Sequence, residues 1–401
     1  MKILVLTHRL PFAPNRGDRI RAYHIVRLLA ARAQVHVVSL VHDREEDAQA
    51  ETLRQMGVEV TTAYVPRTRN LALGALKLAT DTPLTHLLLE SPSMRPALGK
   101  VLASWRPDAV LAYCSGVAPL SLEPPLAGIP FVLDMVDVDS AKWQAFAADA
   151  RFPKSWVFRR EARWLSAFEA RAVRAAFATT VVNERERDTL LTVAPGAAVH
   201  IAANGVDVEA LTAPHAPAAE ERVIFTAVFD YAPNGDGAVW FAREVWPRVR
   251  TARPTAHLTL AGSSPTSAVR RLAEDPSIEV TGRVDDMRPY LWRSAVAVAP
   301  IFQSRGVQNK VLEAAAAGLP SVVTRTVGDG LPKEVLPACR IADSADAFAA
   351  AVIELLALTP TVRRREAGRA SLASLGWPAR LAPLVALLER AAGDNPIARA
   401  V

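Results

Sequence analysis

Short runs of apolar residues alternate along the chain with longer stretches in which apolar residues return every three or four positions. The short runs are typical of parallel strands covered on both faces, and the longer stretches are typical of amphipathic helices. Their alternation predicts an α/β protein with parallel sheets. In the first half, the predicted strands are residues 3–6, 35–41, 58–65, 109–113, 131–136 and 179–182, with a short strand near residue 200.

The same alternation returns in the second half, after a low-complexity stretch of alanine and proline at residues 213–220 that we interpret as an interdomain connection. A chain of 401 residues exceeds one ordinary core, so two domains are expected. The predicted strands here are residues 222–229, 257–261, 278–281 and 295–299, and helices are predicted over residues 235–250 and 382–390.

Residues 295–324 are the most informative stretch of the second half. They predict a buried strand, a loop, a helix that begins near residues 307–309, and a second buried strand after Gly318-Leu319-Pro320. The free N–H groups at the start of that helix favour an anion. Lys310 lies in the first helical turn, where a cation is unfavourable unless an anionic ligand offsets the helix dipole. Glu313 follows on a nearby face as a hydroxyl acceptor, so we expect a phosphate-and-sugar site.

Two features of the first half point to ligand contacts at strand ends. Gly17 precedes a predicted helix and allows close backbone approach to an anion, although glycines are also common in purely structural turns. Asp134, Asp137 and Asp139 surround the end of the strand at residues 131–136. This segment lacks the glycine and distal glutamate of a calcium loop, so we favour a hydrogen-bonding role for Asp137 over a metal site.

Aromatic residues and arginines mix between residues 142 and 177, and one helical face carries Val157, Trp164, Leu165, Phe168 and Ala172. An amphipathic core helix with a solvated arginine face explains this pattern. A basic, aromatic surface that rests on an anionic membrane is the alternative explanation. Both interpretations stay open, because an interior face and a membrane face look alike in sequence.

Composition narrows the class of protein. The net charge is +6 and the pI is about 9.6, which suits an anionic ligand or surface. A composition rich in arginine and alanine also arises simply from a GC-rich coding sequence, so the charge does not by itself identify a partner. The only two cysteines, Cys114 and Cys339, lack the spacing of a metal site or a disulfide framework. No apolar run is long enough for a spanning helix or a signal peptide, so we expect a cytoplasmic protein. Only the net charge favours nucleic-acid binding, which is not expected, and no G-x-G-x-x-G follows the first strand to indicate nicotinamide chemistry.

Two Rossmann-like halves, a glycine loop near the N-terminus and an anion-binding βαβ unit near the C-terminus resemble the GT-B fold. More narrowly, the chain resembles the family 4 glycosyltransferases, which retain the configuration of the anomeric carbon. The motifs that carry the resemblance are Asn204-Gly205-Val206-Asp207, Gly262-Ser263, Gly282-Arg283-Val284-Asp285-Asp286, and the stretch from Gly306 through Glu313-Ala314 to Gly318-Leu319-Pro320. Residues 11–21, 134–140 and 306–313 narrow it further, to the sugar transferases found with PEP-CTERM/exosortase A exopolysaccharide systems.

The resemblance implies two Rossmann-like domains facing a cleft. An acceptor-side domain would span residues 1–207, a nucleotide-sugar donor domain residues 208–376, and a C-terminal helix at residues 377–401 would pack back on the N-terminal domain. It also implies donor-site roles: Glu313 would hold the ribose, and Gly17 would approach the phosphates. Base and diphosphate contacts would come from Arg283, Val284, Gly306, Val307, Gln308 and Asn309.

The chain departs from the family pattern at three places. The paired-glutamate motif should have its first acid eight positions before Glu313, where this chain has Arg305. The histidine usually found after the strand at residues 131–136 appears as Val136, with Asp137 beside it. The usual glycine-arginine pair after the first strand of the second domain is replaced by Phe229-Asp230-Tyr231. Lys310 and Arg305 could supply the missing positive charge from the other side of the site, without a metal ion or cofactor.

The resemblance therefore implies a retaining glycosyltransferase, and we expect Asp137, Lys310 and Arg305 to be its catalytic residues. Its donor would be a nucleotide-diphosphate sugar and its acceptor a lipid-linked saccharide or oligosaccharide, at the inner face of the plasma membrane. Two alternatives remain: a nucleotide-sugar epimerase or hydrolase of the same fold, and a catalytically degenerate nucleotide-sugar-binding protein.

Overall fold

The computed structural model describes residues 1–13, 17–214, 220–303 and 307–394. The chain divides into two compact units, Met1–Asn204 together with residue 380 onward, and Gly205–Ala379. The division falls a few residues before position 208, because the backbone N–H of Val206 bonds to the carbonyl of Leu375 at 2.9 Å and so joins this turn to the second unit. The last helix begins in the second unit, and from Arg380 onward it groups with the first.

The first unit is built on a parallel sheet in the order β3-β2-β1-β4-β5-β6-β7. Its strands are β1 (Lys2–Thr7), β2 (Gln34–Val41), β3 (Glu59–Tyr64), β4 (Ala109–Tyr113), β5 (Phe131–Val136), β6 (Ala178–Val181) and β7 (Val199–Ile201). Ile3 lies opposite both Val35 and Ala109, so β1 is a central strand. This explains why its sequence is continuously apolar.

Helices connect these strands. They are α1 (Gly17–Ala30), α2 (Arg44–Ala48), α3 (Ala50–Gln55), α4 (Arg67–Leu76), α5 (Leu84–Leu88), α6 (Met94–Ser104), α7 (Ala118–Leu122), α8 (Asp139–Asp149), α9 (Lys154–Ala175) and α10 (Glu184–Val193). Leu165, Phe168 and Ala172 of α9 are buried in a core that also contains Leu133 of β5. Three of the five residues of the predicted apolar face therefore belong to the core, and the other two, Val157 and Trp164, are half-buried.

The second unit repeats the plan with a parallel sheet in the order β10-β9-β8-β11-β12-β13. Its strands are β8 (Arg222–Thr226), β9 (His257–Ala261), β10 (Ile278–Gly282), β11 (Val296–Ala299), β12 (Ser321–Val323) and β13 (Cys339–Ile341). β8 and β11 are the central pair, with Val296 beside Val223. The predicted βαβ unit is thus at the centre of the sheet.

The α-helices of this unit are α11 (Val208–Leu211), α12 (Ala232–Trp240), α13 (Trp246–Ala252), α14 (Ser267–Arg270), α15 (Arg288–Trp292), α16 (Asn309–Ala316), α17 (Arg325–Asp329), α18 (Ala345–Ala357), α19 (Pro360–Ala367) and α20 (Trp377–Gly393), the last shared with the first unit. A π-helical segment, Phe241–Val245, joins α12 to α13. Short 3₁₀ turns lie at Arg271–Glu274, Leu336–Ala338 and Ala373–Leu375. Within the described part of the chain, no helix has the length and apolar character needed to cross a membrane.

Each sheet reverses its strand order once, between β1 and β4 in the first unit and between β8 and β11 in the second. Connections on the two sides of such a point leave in opposite directions, so a crevice opens at the carboxyl ends of these strands. Open α/β sheets bind their ligands there. The loops and helix starts after β1, β4, β8 and β11 are therefore the places to look for functional side chains.

Candidate active site

In the second unit, the strand-order reversal brings together the first turns of α12 and α16. The Lys310 ammonium, on α16, donates a hydrogen bond to Oδ1 of Asn234, on α12, at 2.9 Å. The amide Nδ2 of Asn234 donates in turn to the carbonyl of Val228 at 2.9 Å. Because this second bond fixes which way the amide points, its oxygen faces the lysine. Asn234 therefore anchors Lys310 at the mouth of the crevice.

The surroundings of Lys310 make its charge costly without a ligand. The ammonium lies 4.8 Å from the centre of the Phe225 ring, and its anchor is a neutral amide. Burial lowers the pKa of Lys310 to about 8, against the opposing effect of the Glu313 carboxylate. Burial also raises the pKa of Glu313, which the charge of Lys310 lowers. A bound anion would stabilise the protonated lysine, as the sequence pattern predicted.

Close packing of α12 against the end of β11 sets the distance between Asn234 and Lys310. A Cβ atom at Gly237 would lie 2.3 Å from the carbonyl oxygen of Pro300, which immediately follows β11. No larger residue fits at this position without moving α12. Gly237 is therefore the residue that permits the two helix starts to meet, although the sequence alone did not distinguish it from any other helical glycine.

The remaining predicted donor-site residues of the second unit fall in two places. Val307 and Asn309 are exposed at the start of α16, with Gln308 between them, and the carbonyl of Gln308 accepts the N–H of Val311 at 3.0 Å. Arg283 and Val284 follow the edge strand β10, which β9 separates from β8. Two strand spacings, about 10 Å, therefore separate β10 from β8, one of the two strands at which the strand order reverses. Arg305 and Gly306 lie outside the described residues.

In the first unit, polar side chains gather after β4 and β5. The Ser115 hydroxyl donates to the Asp139 carboxylate at 2.6 Å, and the Lys142 ammonium lies 3.1 Å from Asp139 and 3.9 Å from Asp137. Val136 has φ of 64°. A β-branched residue rarely adopts this left-handed conformation, and such strain concentrates at functional sites. Asp137 is thus held half-exposed by a strained strand end and a neighbouring cation.

A buried ion-pair network, which the sequence did not reveal, fixes the first helix of this unit. The Arg21 guanidinium, on α1, binds both oxygens of Asp134, on β5, at 2.8 and 3.0 Å, and also donates to Oδ1 of Asn204 at 3.0 Å. The hydroxyl of Thr180 donates to Asp134 at 2.8 Å. Gly17 is the first residue of α1, so this network holds the helix start that was predicted to approach a phosphate.

Glu169, on α9, is a second buried acid of the first unit, after Asp134. Its carboxylate accepts the backbone N–H of Ser140 at 3.1 Å and the hydroxyl of the same residue, so it holds the first turn of α8. Burial raises the pKa of Glu169 to about 7, although its hydrogen bonds to Ser140 act in the opposite direction. The folded protein therefore keeps a proton on this group that the unfolded chain releases at lower pH.

We expect Glu169 to make stability fall as pH rises. A folded pKa above the unfolded value of 4.5 stabilises the fold fully below pH 4.5, and that contribution is lost between pH 4.5 and about 7. Its upper limit is about 3 kcal/mol. Glu169→Gln should flatten the fall in the free energy of unfolding between pH 4.5 and about 7, as measured by urea unfolding. Glu366→Gln is the control, because the pKa of that acid is lowered by its hydrogen bond to Arg340. An unchanged profile in Glu169→Gln would contradict the assignment.

The described residues contain no group of three His, Cys, Asp or Glu side chains placed to share a metal ion. The side chains that the sequence missed are Asn234, Arg21 and Ser115, the hydrogen-bond partner of Asp139. Pro233-Asn234-Gly235 resembles an ordinary turn in sequence, and the partner of Asn234 lies 76 positions away. No local pattern could have identified it.

The second unit contains a segment that matches a known protein family. Residues 220–358 match the model of the family described as "Glycosyl transferases group 1". That segment starts just before β8 and ends just after α18, so it contains both Asn234 and Lys310. A search of curated protein sequences found no match.

Several solved structures share the fold over nearly the whole chain. Anabaena HepE in complex with UDP has a TM-score of 0.64 at 14% identity and covers 97% of this chain and 100% of its own. TarM has a TM-score of 0.61 at 11% identity, with 96% and 98% covered. WaaG, a glycosyltransferase involved in lipopolysaccharide biosynthesis, has a TM-score of 0.57 at 13% identity, with 99% and 100% covered.

The prediction of two Rossmann-like parallel sheets is confirmed, and the family match over residues 220–358 supports the glycosyltransferase resemblance. The narrower assignments, to family 4 and to PEP-CTERM systems, stay predictions. The chain thus has the GT-B fold, and its residues 220–358 match the model of the glycosyl transferases group 1 family.

Proposed function

We propose that this protein transfers a sugar from a nucleotide-diphosphate sugar to a lipid-linked saccharide or oligosaccharide, with retention of configuration and without a metal ion. The observation that carries the proposal is the Lys310 ammonium, anchored by Asn234 where the strand order of the second sheet reverses. Departure of a nucleoside diphosphate places negative charge on its phosphate oxygens. A fixed cation at a helix start stabilises that charge.

The comparisons support a nucleotide-sugar donor. The family segment includes both members of the Lys310–Asn234 pair. HepE, which shares the fold, has been solved with UDP and with UDP-glucose. We therefore assign the diphosphate to Lys310 and the first amides of α16, the ribose to Glu313, and the base to the turn at Arg283 and Val284.

The proposed chemistry needs few other groups. In retaining transfer, the leaving phosphate can accept the proton of the acceptor hydroxyl, so no strong protein base is required. Asp137, half-exposed after β5, would orient the acceptor or the sugar, and Arg305 would add a second cation to the diphosphate. Gly17 would let the start of α1 approach the phosphates. The motifs at residues 11–21, 134–140 and 306–313 favour a role in exopolysaccharide synthesis at the inner membrane face.

A thermal-shift screen of nucleoside diphosphates, followed by product analysis, tests this function. A diphosphate that binds the folded chain should raise its melting temperature, with about 2.7 kcal/mol of added stability at a hundredfold excess over Kd. Lys310→Met should bind the diphosphate more weakly and so reduce the shift, and Lys333→Met, on an exposed loop of the same unit, should keep it. Absence of a shift with every nucleotide in the wild-type chain would contradict the proposal.

Two alternative functions predict different results when the sugar nucleotide is incubated with the protein. An epimerase or hydrolase would consume the sugar nucleotide without an acceptor. A degenerate binding protein, which Arg305 and Val136 favour by replacing expected catalytic groups, would show the thermal shift but no turnover with any acceptor. Incubation of the sugar nucleotide with and without a lipid-linked saccharide extract distinguishes the three.

A further inference from the structure

The outer face of α9 carries positive charge alone. Its exposed charged side chains are Lys154, Arg159, Arg163, Arg171 and Arg174. Both acidic residues of the helix point inward, with Glu161 1% exposed and Glu169 0% exposed. Sorting of charge by sign is not needed for solubility, since a solvated helix normally mixes both signs. The helix therefore presents a surface suited to an anionic partner.

Large apolar side chains are exposed on and around the N-terminal end of this helix. Phe152, in the turn between α8 and α9, is 82% exposed, and Trp156, in the first turns of α9, is 47% exposed. Phe146 of α8 and Leu76 at the end of α4 are exposed as well. Isolated exposed apolar residues are ordinary, but aromatic residues interleaved with cations are typical of proteins that lie in a membrane interface.

A preformed groove lies beside these residues. It has a volume of about 350 Å³ and is bounded by residues 78–80, two tryptophans and three arginines of α9, namely Trp156, Trp164, Arg159, Arg160 and Arg163. The Arg160 guanidinium holds the loop in place by donating to the carbonyls of Leu78 at 2.6 Å and Thr82 at 2.9 Å. The buried Arg160 therefore has a structural role, because its N–H groups bind the loop that forms one wall of the groove.

The other two arginines of the groove keep their charge available. Arg159 bonds only to the Ser155 hydroxyl, at 3.3 Å, and Arg163 stacks on the Trp164 ring at 5.0 Å. Neither arginine forms an ion pair with any described acid. A guanidinium group that is not paired with a carboxylate can bind a phosphodiester through several N–H donors.

We propose that this surface, formed by Phe152, Trp156, Arg159, Arg163 and Leu76, docks the protein on an anionic phospholipid bilayer. The aromatic side chains enter the interface, and the two arginines bind lipid phosphates at the groove. This adds the membrane partner to the proposed function, because a lipid-linked acceptor would then be met at the surface where it resides. Adsorption itself requires no sugar transfer.

Vesicle co-sedimentation of the full chain tests this surface. In 0.1 M salt, the chain should bind vesicles of equal parts phosphatidylglycerol and phosphatidylcholine at least tenfold more tightly than pure phosphatidylcholine, and 0.5 M salt should weaken binding about tenfold because exposed charges are screened. Arg159→Gln with Arg163→Gln should weaken it about 25-fold, at about fivefold for each cation. Phe152→Ser with Trp156→Ser should weaken it by at least tenfold.

Matched controls separate the surface from general charge and hydrophobicity. Arg32→Gln with Arg106→Gln removes the same charge from exposed positions shortly before β2 and β4, and Tyr64→Ser removes a comparably exposed aromatic residue. Each should change binding less than twofold, and circular dichroism confirms folding of every variant. Equal loss in the controls, or no preference for phosphatidylglycerol, would overturn the proposal.

Other partners of this surface would give different results. If the chain dimerises without vesicles and Phe152→Ser abolishes the dimer, the surface binds a second copy of the chain, and the membrane role is overturned. Competition by free glycerol phosphate at millimolar concentration would assign the groove to a soluble phosphate and also overturn it. Nucleotide binding, measured in parallel, should be unchanged in all surface variants, so failure of vesicle binding and failure of the proposed transfer are distinguishable.

Discussion

Replacement of Lys310 by methionine should lower kcat/KM for sugar transfer about 100- to 1000-fold, which is the usual effect of removing one fixed donor from a developing negative charge. The free energy of unfolding should change much less. Methionine matches the length of the lysine stem, and burial already disfavours the ammonium, as its lowered pKa shows. The loss of activity would then measure charge stabilisation and not misfolding. Turnover of the sugar nucleotide selected by the thermal-shift screen is the measurement.

The Asn234–Lys310 hydrogen bond predicts a specific coupling. Asn234→Ala should lower activity about tenfold, because the ammonium loses its anchor at 2.9 Å. In the Lys310→Met background, the same substitution should have almost no further effect on transfer, since the two residues act as one unit. Independent losses in the double variant would show that Asn234 acts elsewhere.

The pH dependence of nucleotide binding gives a second readout of Lys310. The free protein loses the lysine proton as pH rises through about 8, so nucleoside diphosphate affinity should fall above that pH. The Lys310→Met variant should bind more weakly but without this fall. A wild-type profile that is flat from pH 7 to 9.5 would contradict the assignment of Lys310 to the diphosphate.

The largest effect on stability should come from the Arg21–Asp134 pair. Asp134→Ala leaves a guanidinium that is 1% exposed without its bidentate partner, and the expected destabilisation is about 3–5 kcal/mol. The exposed pair formed by Arg95 and Glu123 is the control, and Glu123→Gln should cost less than about 1 kcal/mol. Calorimetric melting measures both.

The double variant Arg21→Met with Asp134→Leu refines this prediction. Removing both charges leaves no uncompensated ion, so part of the lost stability should return. Activity should stay low, because α1 would no longer be tied to β5 by a directional contact. If Asp134→Ala melts within a degree of the wild-type protein, the network does not hold the first unit together.

Local patterns determined the type of most elements. The continuous apolar runs predicted β1, β4 and β11 closely, because a strand buried on both faces needs apolar side chains at every position. The stretch at residues 295–324 predicted β11, α16 and β12 in order, and with them Lys310 at a helix start. Boundaries were less accurate. The strand predicted to reach residue 229 ends at Thr226, and the helix predicted at residue 235 starts at Ala232.

Long-range partners were decided only by the tertiary structure. Strand order brings α12 beside α16 and α1 beside β5, so Asn234 meets Lys310 and Arg21 meets Asp134 across 76 and 113 positions. Periodicity repeats within a few residues and carries no information on such pairs. The same limit applies to α9, whose sequence fitted a core helix and a membrane helix alike. Its packing showed that one face is core and that both acids are buried, so the exposed charges of the helix are all positive.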